Sequence, residues 1–143
     1  MSLVNREMEE ELIKDGQLLI AKIIRDQEWP EGLQFYSKES DFLQVATWNY
    51  ASGKHLKAHG HKIFRRISNR VCELLFIKSG KIRAYFYNQR DELISKKILN
   101  AGDIVIICAG GHAYDILEDK SQILEVKNGP YPGLKNDKKI IEE

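Results

Sequence analysis

Three histidines and one glutamate stand at glycine-marked intervals that could build a metal site. Gly53 is followed by five residues and then His59-Gly60-His61. Glu73 is followed by six residues and then Gly80, and Gly102 by five residues, Cys108, Gly110 and His112. Along a strand, residues i and i+2 share a face, so His59 and His61 on a strand would present their imidazoles side by side. Neutral imidazoles with a carboxylate suit iron, manganese, zinc, nickel or copper, and three or four protein ligands leave a position for water or substrate. The alternative for the same residues is a set of polar side chains around a barrel mouth, with Glu73 paired to a nearby arginine. His55 shares the parity of His59 but falls in the turn after Gly53, where a surface role fits it.

Such groups can meet only if short strands deliver them. Apolar and β-branched runs recur at Leu18–Ile24, Phe42–Ala51, Cys72–Lys78, Lys81–Tyr87, Leu93–Leu99, Ile104–Cys108, Ala113–Leu117 and Ile123–Lys127, and each reads as a strand. Ser79-Gly80, Asn88–Asp91, Asn100–Gly102 and Glu118–Lys120 supply the turn residues between them. The spacing predicts an all-β antiparallel sandwich or barrel. Met8, Leu12 and Ile13 give Arg6–Lys14 a near-helical spacing, so a short N-terminal helix or a frayed tail precedes the strands. Prolines and glycines make the stretch from Asn128 to Gly133 irregular.

The chain of 143 residues suits one domain, 1–143, with a barrel core at about 17–127 and a tail over 128–143. Apolar residues at 43% and charged residues at 30% describe a globular chain. With 22 basic against 21 acidic residues, no electrostatic footprint for nucleic acid is expected. No apolar run is long enough to cross a bilayer and no signal-peptide pattern opens the chain, so neither a membrane nor export is expected. Cys72 and Cys108 are too few for a disulfide framework, and a cytoplasmic location is the natural expectation. Cys108, after four β-branched residues, reads as a small core side chain or a soft ligand.

The glycine, histidine and glutamate pattern resembles the cupin superfamily, whose two motifs follow this outline on successive strands. The resemblance covers roughly Phe42–Lys127. It implies a double-stranded antiparallel β-helix, the cupin jelly-roll barrel, with His59, His61, Glu73 and His112 as ligands of a divalent transition metal. Two features differ from the family pattern. Eleven residues, Lys62–Cys72, separate His61 from Glu73, where the family gap is short, and Cys108 stands where proline is usual.

Three functions are compatible with this resemblance. One is a metal-binding cupin that binds or transforms a polar small molecule, a sugar or an organic acid, with isomerase and dioxygenase chemistry both open. A second needs no metal. Ala58-His59-Gly60-His61-Lys62 looks like the histidine pair of cupin nucleotide-sugar ketoisomerases, acting as general base and acid. The third is a non-catalytic ligand sensor. Arg83, Tyr85 and Tyr87 alternate on one strand face, as pocket walls for a polar ligand or as a half-exposed surface. Arg65, Arg66 and Arg70 could grip an anion or belong to a solvated loop. Trp29, Phe35, Tyr36 and Trp48 suit a core or a dimer interface, and the resemblance implies a homodimer paired through sheet edges.

Overall fold

A computed structural model describes residues 10–143. Ten strands are formed among these residues, all paired antiparallel, with one four-residue helix, so the all-β expectation holds. The chain falls into two compact units. One combines Met1–Asp26, described from Glu10 onward, with Arg70–Glu143, and the other is Gln27–Asn69.

The larger unit holds two sheets. In chain order its strands are β1 (Glu10–Asp15), β2 (Leu18–Ile24), β5 (Glu73–Ser79), β6 (Lys81–Tyr87), β7 (Leu93–Asn100), β8 (Ile104–Ile107), β9 (Gly111–Ile116) and β10 (Gln122–Lys127). A five-stranded sheet runs β1-β2-β8-β5-β10 and a three-stranded sheet runs β7-β6-β9. Ile23, Leu75, Ile77, Val105 and Ile107 from the first sheet share one buried cluster with Ile82, Ala84, Phe86 and Leu99 from the second. Alternation drives this: in β5 and β6 every second residue is buried, so one face of each strand joins the cluster. Each such Ile or Phe contributes about 1.5–3 kcal/mol on leaving water. Both sheets keep open edges, at β1 and β10 and at β7 and β9, and no strand closes them into a barrel among the described residues.

The turns use their chemistry visibly. Asn88, buried after β6, accepts the backbone N–H groups of Arg90 and Glu92 on its side-chain oxygen and donates to the Glu92 carboxylate. Buried Asp103 accepts from the backbone N–H groups of Asn100 and Asp26 and from the Arg25 guanidinium, at 2.8–2.9 Å. Arg25 also binds Glu11, which ties β1 to the sheet.

The N-terminal expectation is corrected from Glu10 onward, while Arg6–Glu9 lie outside the described residues. Glu10–Asp15 is a strand, not a helix, because a turn at Gly16 (φ 58°) folds it back onto β2. The Asp15-Gly16 pair is a strong hairpin signal, and strand pairing overrides the weak helical spacing. In the tail, α1 (Leu134–Asp137) supplies one short helical turn that the sequence did not announce. No helix among the described residues is long and apolar enough to cross a membrane.

The smaller unit, Gln27–Asn69, contains one hairpin, β3 (Gly32–Phe35) with β4 (Ala46–Asn49). Tyr36, Val45 and Thr47 are buried, and the Tyr36 hydroxyl lies 3.2 Å from Thr47 Oγ1. Of the four aromatics expected in a core or interface, only Tyr36 is buried, while Trp48 is 61% exposed. The strand expected over Phe42–Ala51 shrinks to Ala46–Asn49, because β4 finds its ladder partner only along β3.

Candidate functional site

Glu73 is a carboxylate at a core position. It opens β5 on the same face as Leu75 and Ile77, and only 8% of its side chain is exposed. Three neighbours answer it. Lys127 is its register partner on β10, with Nζ 3.2 Å from Oε1. His112 on β9 reaches across from the three-stranded sheet, with Nε2 3.0 Å from Oε2. Tyr114, two residues on and therefore on the same strand face, has its ring centroid 5.3 Å from that of His112.

Backbone geometry sets His112 in place. Gly110 takes φ 70°, and a Cβ there would collide with the carbonyl oxygen of Tyr87. Only glycine allows so close an approach in that conformation, and β9 begins at the next residue.

The electrostatics are uneven. Burial opposes the Glu73 charge, but the His112 imidazole and the Lys127 ammonium outweigh it and hold the carboxyl below its ordinary value of 4.5. Burial pushes the Tyr114 phenol up, helped by the negative charges of Glu73 and Glu125. Lys127 is pushed up as well, first by its bond to Glu125 at 2.7 Å, then by Glu73. Two buried oxygens in this cluster have no hydrogen-bond partner, Glu73 Oε2 and the Tyr114 hydroxyl. The His112 nitrogen stands 3.0 Å from that Oε2, as an ion-pair neighbour. Unmet polar atoms of this kind mark a place where a ligand, ion or water completes the structure.

At 3.0 Å the Glu73–His112 contact is an ion-pair distance, between a carboxylate oxygen and an imidazole nitrogen, two donor types that divalent transition metals take. Among the described residues no group of three His, Cys, Asp or Glu side chains is assembled to hold a metal.

His59 and His61 sit in the smaller unit, and the expectation that a strand carries them is corrected. The backbone from Tyr50 to Cys72 forms no strand, because no neighbouring strand accepts its ladder bonds. Both histidines are exposed, yet their rings stand 5.3 Å apart at 75°. His59 Nδ1 lies 3.0 Å from the carbonyl of Lys57. His55 and Arg65 are exposed on the same irregular segment, and Arg66 stacks over the Phe64 ring at 5.5 Å.

Arg83 and Tyr85 alternate as expected, but on the face of β6 opposite Ala84 and Phe86, away from Glu73 and His112. There the Tyr85 hydroxyl donates to Asp115 at 2.5 Å and Arg83 stands 3.7 Å from the same oxygen. Tyr85 borders an open groove whose wall includes Lys96, Tyr87 and Glu143. Sequence reading passed over Lys127 and Tyr114. The signal for Lys127 was its place on a strand paired to the one that Glu73 opens, and for Tyr114 its i+2 spacing from His112.

Comparison with protein-family models, with curated proteins and with solved structures found no match for the chain.

Proposed function

We propose that this chain is a small cupin-type protein that binds a divalent transition metal and a polar small molecule. In this reading Glu73 and His112 supply one carboxylate oxygen and one imidazole nitrogen to the metal. The observation that carries it is the buried Glu73 carboxylate, whose Oε2 lies 3.0 Å from His112 Nε2. The cupin jelly-roll belongs to the same proposal, supported by two antiparallel sheets that share one core.

A bound metal of this kind supplies Lewis-acid polarisation of a substrate oxygen. The chain's own residues do the rest. Glu73 stays ionised because His112 and Lys127 outweigh the burial that opposes its charge, and Tyr114 offers a hydroxyl donor that no protein group occupies. A ligand with neighbouring hydroxyl and carbonyl oxygens, such as a sugar or hydroxy acid, matches an acceptor at Glu73 and a donor at Tyr114. Pairing of two copies through a sheet edge is also proposed, supported by Leu124 and Val126, which are exposed on the open edge strand β10.

Elemental analysis of protein purified without chelator tests the metal. Close to one equivalent is expected, falling at least tenfold in affinity with His112→Ala. A metal-free protein that fails to take up zinc, manganese, nickel or iron(II) in titration defeats the reading. One observation favours a metal-free alternative: Lys127 already compensates the Glu73 charge. In that case Glu73 and His112 act as a proton-transferring pair, and ligand binding survives full metal removal.

A further inference from the structure

The two cysteines of this chain flank the last pair of one strand ladder, Cys72 just before Glu73 and Cys108 just after Ile107. The β5–β8 ladder pairs Leu75 with Val105, Leu74 with Ile106 and Glu73 with Ile107. The ladder ends at that last pair, and the same register carried one step beyond it faces Cys72 with Cys108. Both belong to the larger unit, both are thiols and both are half-buried.

The backbone hydrogen bonds around them fix the kind of pairing. The Cys72 N–H donates to the Asn128 side-chain oxygen at 2.7 Å, and its carbonyl accepts from the Asn128 N–H at 3.4 Å. These bonds point toward β10. The Cys108 N–H donates to the Ile20 carbonyl at 2.8 Å, toward β2. Neither cysteine therefore spends these bonds on the other, which describes a non-hydrogen-bonded pair. That pair type brings Cα atoms to about 4.5 Å with side chains close, inside the range of about 4.4–6.8 Å that a disulfide spans. The parity agrees too: Cys72 shares a face with Leu74 and Phe76, and Cys108 with Ile104 and Ile106, the residues those two face across the ladder.

We propose that Cys72 and Cys108 form a reversible cross-strand disulfide. With a small-molecule disulfide as oxidant, one cysteine thiolate attacks it, forms a mixed disulfide and expels one small thiol. The second cysteine thiolate then attacks the protein sulfur of that mixed bond and expels the second small thiol. Two protein thiols become one disulfide, the two electrons pass to the oxidant, and the two protons leave on its two thiol products. The link clamps the start of β5 at Glu73 to the end of β8, from which Ala109–Gly111 leads to His112. It does not depend on the metal reading, since the register alone places the thiols.

Native full-length protein treated with oxidised glutathione, quenched by alkylation and digested without reductant provides the test. The expected product is a Cys72–Cys108 cross-linked peptide, lighter than the sum of its two reduced peptides by two hydrogens, and removed by dithiothreitol. In Cys108→Ser the glutathione adduct is expected to persist on Cys72, because the resolving thiol is gone. Stable glutathione adducts on both wild-type cysteines, no reaction, or cross-links only between two chains would each overturn the proposal. Loss of the Cys72 adduct in Cys108→Ser would do the same.

Discussion

Two pairs of metal-capable side chains invite comparison, Glu73 with His112 in the larger unit and His59 with His61 in the smaller. The second pair has the more recognisable spacing, a His-x-His after a glycine-marked turn. The first pair has the more constrained setting. Glu73 is held by β5 among buried aliphatic residues and answered by Lys127, while His112 is held by β9 two residues after Gly110, whose positive φ and close approach to the Tyr87 carbonyl require glycine. His59 and His61 have each other, a contact to the Lys57 carbonyl, and solvent. Spacing marks where chemistry could be, and burial with register shows where the fold has committed energy to it.

The comparison breaks if the two units answer mutation alike. The largest contrast is expected between two phenylalanines. Phe86 is fully buried in the shared cluster, and Phe86→Ala is expected to cost about 3–5 kcal/mol in urea unfolding. Phe64 is 72% exposed, and Phe64→Ala should stay within about 0.5 kcal/mol. Next comes Glu73→Gln, expected to cost about 1–3 kcal/mol at neutral pH because it removes the charge that Lys127 faces.

Acid sharpens the same point. Glu73 titrates lower in the folded chain than its ordinary value of 4.5, so the unfolded chain binds the proton first. Its contribution is present above about that value and fades as pH falls through the lower folded pKa. Urea midpoints between pH 5 and pH 3 should therefore fall less steeply in Glu73→Gln than in the parent. The smallest effect is expected for His59→Ala with His61→Ala, within about 0.5 kcal/mol each, since both are exposed. A larger loss there than at Glu73 would reverse the order of the two pairs.

Much of the larger unit was legible in the sequence. Lys81–Tyr87 and Leu18–Ile24 were read to the residue, because period-two burial and flanking turn residues agree there. Ile104–Ile107 was legible as a run apolar on every residue, the mark of a strand buried on both faces. The hairpin at Gly16 was missed because acidic crowding hid an Asp-Gly turn. Gly32–Phe35 was missed because three of its four residues are exposed and little alternation is left to read. At the site, Glu73 and His112 were legible from glycine spacing. Lys127 was not, because a partner chosen by strand register appears only when two distant segments are laid side by side. The histidine segment was misread because His-x-His fits a strand, yet a strand also needs a neighbour, and no local pattern supplies one.

The order β1-β2-β8-β5-β10 has a consequence in time. The central strand β8 begins 80 residues after β2 ends, from Ile24 to Ile104. At a synthesis rate of about 5–20 residues per second, β2 and one edge of β5 wait unpaired while the rest of the chain is made, for β2 about 4–16 s. Their Leu, Ile and Ala side chains are apolar enough to recruit the wrong neighbour in that interval. The β1–β2 hairpin, closed early by Gly16, covers one side of β2, and the other side stays open until β8 emerges. The vulnerable moment of this molecule is therefore a pause in its birth, at a strand whose two edges the finished sheet pairs.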